Sequence, residues 1–449
     1  MGNSGDRLLI KIPKYSKRLQ YTFQFLLKTL WGIEHEFTLN EDEFNAWQGP
    51  KMIYGGSFQE NEVWFDAVSL LFERNIAGFD TGKYSPYTGL FPVYGSDSAL
   101  PFDAFASTFY MLSRYEEYLP NRKDTHGRFP ATESIAYREG FLDKAVVNRW
   151  AEMIVAILLK RFPDLHFHKT SYQYVPTIDV DLAYSYLHKG FLRTLGGYVK
   201  SLIHADFEDV RSRTHVLMGK ERDPFDSFDA LHHLHSSYYL KPVFFFLFSD
   251  YGQYDKNLSI YNPAFRNLIK KVADYATVGI HPSYACYENP QKLKKEIEDL
   301  SQCLHRQITH SRQHFLRLNF PETYRNLIHC GITDDYSMGF ADQPGFRAGT
   351  CNSFPFYDLD LDTATSLLIH PFAFMDGTLK DYLKIPKDQV VDFVKPYIEE
   401  VKRYSGTLIT LWHNETHGGS GRWEGWPEIY ETIVKMGASS SIETSTKPC

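Results

Sequence analysis

The chain lacks any apolar run near the roughly 18 residues that mark a membrane helix, so no transmembrane segment is expected. It has no Lys/Arg block, and 48 basic against 55 acidic residues give a net charge of −7 and a pI near 6.2, which excludes a nucleic-acid footprint. There is no Cys-x-x-Cys pair. The five cysteines (Cys286, Cys303, Cys330, Cys351, Cys449) are scattered and odd in number, which excludes a disulfide framework and a thiolate metal site and fits reduced thiols in the cytosol. No unbroken apolar stretch near the N-terminus resembles a secretory leader; residues 18–31 alternate as a packed helix does. A cytoplasmic location is the expectation. Aromatic residues are plentiful at 16%, with 30 Tyr and 34 Phe, a load that suits sugar stacking but serves the core in most proteins.

At roughly 150 residues per domain, 449 residues suggest two or three domains, and an α/β barrel large enough to absorb most of the chain favours two. Residues 1–167 mix short apolar segments with polar loops and close on a helical pattern at 149–162. From about 170 the texture changes to strand-then-helix alternation. Strands are predicted at 174–179, 243–248, 277–281, 313–317, 331–335 and 407–412, with a further one near 350–354 or 367–372, and the clearest helix at 291–305. Repeated strand–helix units predict parallel strands with right-handed crossovers. The fold class expected is therefore α/β: a smaller mixed α/β N-terminal domain (1–167) of open role, a β/α barrel of six or seven strand–helix units (168–437), and a Ser/Thr-rich flexible tail (438–449).

The most informative segment is Thr177-Ile178-Asp179-Val180-Asp181, which places two carboxylates at the end of an apolar run. Alternation along a strand sends Asp179 and Asp181 to one side. One carboxylate can then hold a cation while the other takes a proton from a bound water, although Asp clusters after strands also cap helices and close turns. Polar residues recur at the other strand ends: Ser249-Asp250, His281, then Arg312, His314 and Arg317, Asp334-Asp335, and His413-Asn414-Glu415. One such residue is usually a hydrogen-bonded structural group. A whole rim of them is not, because each buried polar group costs energy unless it is partnered. Asp and His donors suit a zinc-like divalent metal, and a remaining carboxylate and imidazole supply a base and an acid.

These motifs resemble the polysaccharide deacetylases related to the rhizobial nodulation deacetylase, and Phe102–Leu119 with His126-Gly127-Arg128-Phe129 are similar to the extra N-terminal domain of a bacterial subgroup. The strand-end Asp-x-Asp is similar to one form of that family's first motif, Gly279-Ile280-His281-Pro282-Ser283-Tyr284 to its second, and Leu411-Trp412-His413 to its last. The resemblance covers roughly residues 170–437. It implies Asp179 as catalytic base, Asp181 and His281 as metal ligands, Arg312 as the arginine near the site and His413 as general acid. The fold implied is an irregular seven-stranded β/α barrel, and the activity is metal-dependent removal of an acetyl group from an N-acetylated sugar or glycan intermediate.

The chain departs from the family at Ala285, where a second ligand histidine would stand. The best substitute is His314, which alternation places on the side of Arg312; its alternatives are a structural role, or Cys286, Asp250 or Asp335 as ligand. Arg347, in a Gly-flanked loop, could clamp a substrate carboxylate or phosphate, or form a salt bridge. Trp412, with Trp423 and Trp426, could build a sugar-stacking wall or pack in the core. Asp376 reads as the cap of a helix at 377–383, and His232, His233 and His235 as helix-surface residues. Two further functions stay open: a hydrolase of a non-sugar C–N bond on the same scaffold, and an inactive glycan-binding relative. The oligomeric state is open as well.

Overall fold

The computed structural model describes residues 7–85, 89–94 and 97–439; most of the expected tail, 440–449, lies outside them. Two parallel sheets organise these residues. The smaller contains β1 (Leu8–Lys11), β2 (His35–Thr38), β3 (Lys51–Tyr54) and β4 (Val63–Phe65) in the order β2-β1-β3-β4. The helix Lys17–Phe23 carries the chain from β1 towards β2, and Glu41–Ala46 links β2 to β3, the crossovers that parallel neighbours require. The helix Ala104–Leu112 is buried along its whole length, and Phe105 stacks on Phe23 at 4.2 Å between ring centroids.

The larger sheet has nine strands: β5 (Gln173–Val180), β6 (Val243–Phe246), β7 (Thr277–Ile280), β8 (His310–Ser311), β9 (Asp334–Asp335), β10 (Phe354–Asp358), β11 (Thr363–Ile369), β12 (Phe374–Met375) and β13 (Thr407–His413). Their pairing order is β10-β11-β9-β8-β7-β6-β5-β13-β12, parallel throughout except for the antiparallel β10–β11 pair. After β11 the chain bridges two strands far apart in this order. The His370 N–H donates to the Asp335 carbonyl at 2.8 Å, and the Ala373 N–H to the Ile409 carbonyl at 2.9 Å.

Alternation divides the larger sheet into two faces. Phe244, Phe246, Ile178, Leu408 and Trp412 join the main hydrophobic cluster under the helices, a cluster that also takes in the smaller sheet. Val243, Phe245, Ile409 and Leu411 point the other way, into a separate apolar cluster with Tyr336, Phe372 and Met375. Gly279 lies on that inner face because space there is exhausted: a Cβ would come within 2.7 Å of the Phe245 ring and of the His310 carbonyl oxygen.

Most of the expected strands form, with two corrections. The segment read as a strand at 313–317 is a short 3-10 turn, His314–Leu316, in which Phe315 and Leu316 take φ of 59° and 55°, values no extended strand contains. The strand next to it, β8, ends two residues before the turn. At the C-terminus the helix Trp426–Ala438 runs into the segment expected to fray.

His235 also departs from expectation. It is buried rather than on a helix surface, its Nε2 lies 2.6 Å from the Tyr430 hydroxyl, and burial pushes its pKa down to about 3. Unfolding restores an ordinary imidazole near 6.5, so the unfolded chain binds more protons between those values and stability falls as pH drops through that window. Between pH 6.5 and pH 5 this group should cost about 2 kcal/mol. Denaturant titrations at the two pH values should show the loss, and the His235→Leu variant should have a shallower pH slope. An unchanged slope would remove His235 as its source.

Candidate active site

The inner face of β5 presents Thr177 and Asp179, and Asp181 follows one residue beyond the strand end. Asp179 is buried. Its Oδ1 accepts from Arg312 Nη1 at 2.9 Å, and its Oδ2 lies 3.7 Å from His281 Nε2. The same Nη1 donates to Thr177 Oγ1 at 2.6 Å, while Arg312 Nε donates to the Tyr336 carbonyl at 2.9 Å.

Asp181 gathers three imidazoles. His281 Nε2 is 3.3 Å from its Oδ1, and His314 Nε2 and His413 Nε2 are 3.5 and 4.0 Å from its Oδ2. One ligand atom from each of Asp181, His281 and His314 lies within 4.8 Å of the others, so this group could hold a metal ion. The residues fit that role on two further observations. Asp181 Oδ1 is shut off from solvent yet forms no hydrogen bond of acceptable geometry. Both histidines are also oriented from behind: His281 Nδ1 is 2.5 Å from the Arg312 carbonyl oxygen, and His314 Nδ1 is 2.9 Å from Asp255 Oδ1. Such contacts fix the ring and leave Nε2 free to ligate. Burial alone would raise the Asp181 carboxyl, but the imidazoles of His314 and His281 hold it well below the usual carboxylate range. Burial opposes charge on His314, and Asp181 with Asp255 lifts it to about 9.

His413, the last residue of β13, pairs with a carboxylate of its own. Its Nδ1 is 2.8 Å from Asp376 Oδ1, and its backbone N–H donates to Asp376 Oδ2 at 2.8 Å. Burial works against protonation here too, yet Asp376 above all, then Asp181 and Asp179, holds the imidazole well above its ordinary pKa. A carboxylate and an imidazole that holds its proton, both close to the group around Asp181, can take and give a proton there. The three metal-type donors, Asp179 and His413 line one cavity of about 170 Å³.

Asp179, Asp181, His281, His314 and His413 thus come together. Three other expected residues do not line the cavity. Arg312 is fully buried beneath it and holds Asp179 instead of meeting a substrate. Arg347 forms the salt bridge that is its alternative role, though buried rather than at the surface, in a bidentate pair with Glu117 (Nη2–Oε2 2.6 Å, Nε–Oε1 3.0 Å). Trp412 faces the outer core against Trp426 and Tyr430, because alternation turns it away from its neighbour His413. Among the alternative ligands, Cys286 bonds to Glu296, Asp335 accepts from Ser311 and Ser337, and Asp250 is exposed.

Sequence reasoning missed Asp255, which backs His314, and the pairing of Asp376 with His413. Asp376 does not cap the helix after it: the one N–H of that turn it accepts from is the adjacent Gly377's, and Gly377 is itself the N-cap of Thr378–Tyr382 and has no side-chain cap bond. It also missed Arg128 and Tyr382 in the cavity wall. Arg128 comes from the N-terminal third of the chain and donates to the Phe315 carbonyl at 3.0 Å and to the Tyr382 hydroxyl at 3.1 Å.

Residues 8–163 match the model of a family of unknown function, DUF7033. Comparison with curated proteins returns no match. A solved Mycobacterium smegmatis structure, provisionally called a polysaccharide deacetylase, is 13% identical; the match covers 60% of this chain and 87% of that one, with a TM-score of 0.38. An overlap that loose carries no argument about activity.

Two substitutions test these placements. Asp255→Ala should weaken divalent-metal binding by about 10- to 100-fold in a competition titration, since it frees the His314 ring. Arg347→Ala should lower unfolding stability by about 3 kcal/mol by leaving Glu117 short of a buried partner, with metal uptake unchanged. Unchanged stability would return Arg347 to the candidates for ligand contact.

Proposed function

We propose that this protein is a metal-dependent hydrolase that removes the acetyl group from an N-acetylated sugar or glycan intermediate, by cleavage of a C–N amide bond. The observation that carries the reading is the convergence of the Nε2 atoms of His281 and His314 on Asp181, each ring fixed through Nδ1, between Asp179 and a His413 held protonated. The donor set of one carboxylate and two imidazoles favours zinc, which when bound polarises the amide carbonyl and lowers the pKa of water to about 7.

Asp181, His281 and His314 are the ligands in this reading. Asp179 is the base: Arg312 fixes its Oδ1, so the carboxylate is oriented before it receives a proton from water. His413 is the acid, donating from Nε2 to the departing amine while Asp376 retains Nδ1. An amine leaves poorly unless it is protonated, so this last transfer matters more for amides than for esters. Arg128 and Tyr382 would face the sugar on the cavity wall.

The reading extends to the fold and the location. The segment from β11 to β12 pairs with β9 at its start and with β13 at its end, which supports a ring of seven: β11/β12, β9, β8, β7, β6, β5 and β13. We take this ring as the irregular barrel of the polysaccharide-deacetylase subgroup with an added N-terminal domain, in which residues 1–167 form that domain and 168–437 the barrel. The four cysteines among the described residues are unpaired, which favours a reducing compartment, the cytoplasm.

Metal analysis of the purified protein should find about one zinc per chain, lost in both His281→Ala and His314→Ala. Unchanged content in the His314 variant would remove that residue as a ligand. His413→Ala should cut acetate release from an acetamido sugar by at least about 100-fold and spare an O-acetyl ester of the same sugar. Equal loss on both substrates would refute the acid role.

A further inference from the structure

The helix Phe191–Ile203, which follows the Asp181 loop, lies on the protein inside out. Its only buried residue is Ser201. The side turned inward is polar: the Tyr198 hydroxyl meets Thr214 Oγ1 at 2.9 Å, Ser201 bonds to Asp209, and Gly197 leaves room for the guanidinium of Arg213, itself paired with Asp209 at 2.9 Å. Phe191, Leu192, Leu195, Val199, Leu202 and Ile203 all face outward, within about one third of the helix circumference at 3.6 residues per turn. Leu192 is 82% exposed, Phe191 78% and Ile203 76%. Phe207, Leu217 and Met218, at the two ends of the antiparallel helix Phe207–Leu217, are exposed as well. A soluble helix normally buries this face, and a contiguous exposed patch marks an interaction surface.

Charge identifies the occupant. Residues 189–220 carry six Lys and Arg against three Asp and Glu, a positive surplus in a chain of net charge −7. Lys200, Arg211 and Lys220 are exposed and make no ion pair among the described residues. Tyr251 is exposed, and Arg193 of the helix lies 4.5 Å over its ring, a pairing of cation and amphipathic ring that suits a lipid–water boundary. A second copy of the chain would bring the same positive surplus against itself, because a twofold contact matches like with like. No helix among the described residues is long and apolar enough to cross a membrane. A helix that lies in the boundary needs no such length.

We propose that the helix pair Phe191–Leu217 docks the protein on an anionic lipid bilayer, with the apolar face of Phe191–Ile203 among the acyl chains and Lys200, Arg211 and Lys220 on the headgroups. The surface is independent of the reaction proposed for the cavity. Its test is co-sedimentation of the full chain with vesicles of phosphatidylcholine alone and of phosphatidylcholine mixed with phosphatidylglycerol. Binding to the anionic vesicles should be at least about tenfold stronger and should weaken with added salt. The double variant Leu192→Glu/Ile203→Glu should lose it by a similar factor while circular dichroism stays native, and Lys200→Glu/Arg211→Glu should lose the preference for anionic lipid. Absence of binding to the anionic vesicles, or equal binding to both, overturns the proposal. So does a dimer in light scattering that Leu192→Glu/Ile203→Glu dissolves, which assigns the face to a second copy.

Discussion

Arg312 has no contact with water, and a buried guanidinium must be neutralised where it stands. Its solution ties together elements far apart in the chain. Nη1 binds Thr177 and Asp179 at the end of β5, Nε binds the carbonyl beyond β9, and the plane of the group rests 4.7 Å from the Phe245 ring and 5.6 Å from Phe372. Its own carbonyl meanwhile positions His281. One residue therefore sets the rotamer of the proposed base, the ring orientation of a proposed ligand and the packing of the inner apolar cluster. A change at Arg312 would disturb the site from beneath, and the cost would be paid jointly in stability and geometry.

The period-two rule made the centre of the site legible. Thr177, Asp179 and Asp181 alternate out of one strand and His413 ends its neighbour, so reading strand ends was enough to collect them. The same rule turned Trp412 into core, which residue type alone did not decide. It failed at 313–317 because that segment is no strand; His314 reaches Asp181 by a turn with two positive φ values, and alternation named it for an incorrect reason. Arg347 misled because flanking glycines suggest mobility, whereas its partner Glu117 is 230 positions away and leaves no local trace.

The carboxylates behind the histidines were illegible on the same ground. Asp255 and Asp376 lie 59 and 37 positions from the rings they hold, the first on a loop and the second where β12 runs straight into a helical turn, with no periodicity to place either. Their chemistry nevertheless explains why three imidazoles so close together can have separate duties. A backbone carbonyl behind His281 orients the ring, whereas Asp376 behind His413 both orients its ring and favours a proton on it.

Charge balance links these observations. Asp179, Asp181, Asp255 and Asp376 bring four negative charges to a small volume, and Arg312 returns one. Low-dielectric surroundings penalise the remaining three. Protons on His314 and His413 would leave the cluster one charge short of neutral. A divalent cation shared by Asp181, His281 and His314, with His413 protonated, brings it to zero and keeps the two roles on different rings. The arrangement that relieves the charge on these side chains is therefore also the one in which the proposed base, ligands and acid each keep a separate group.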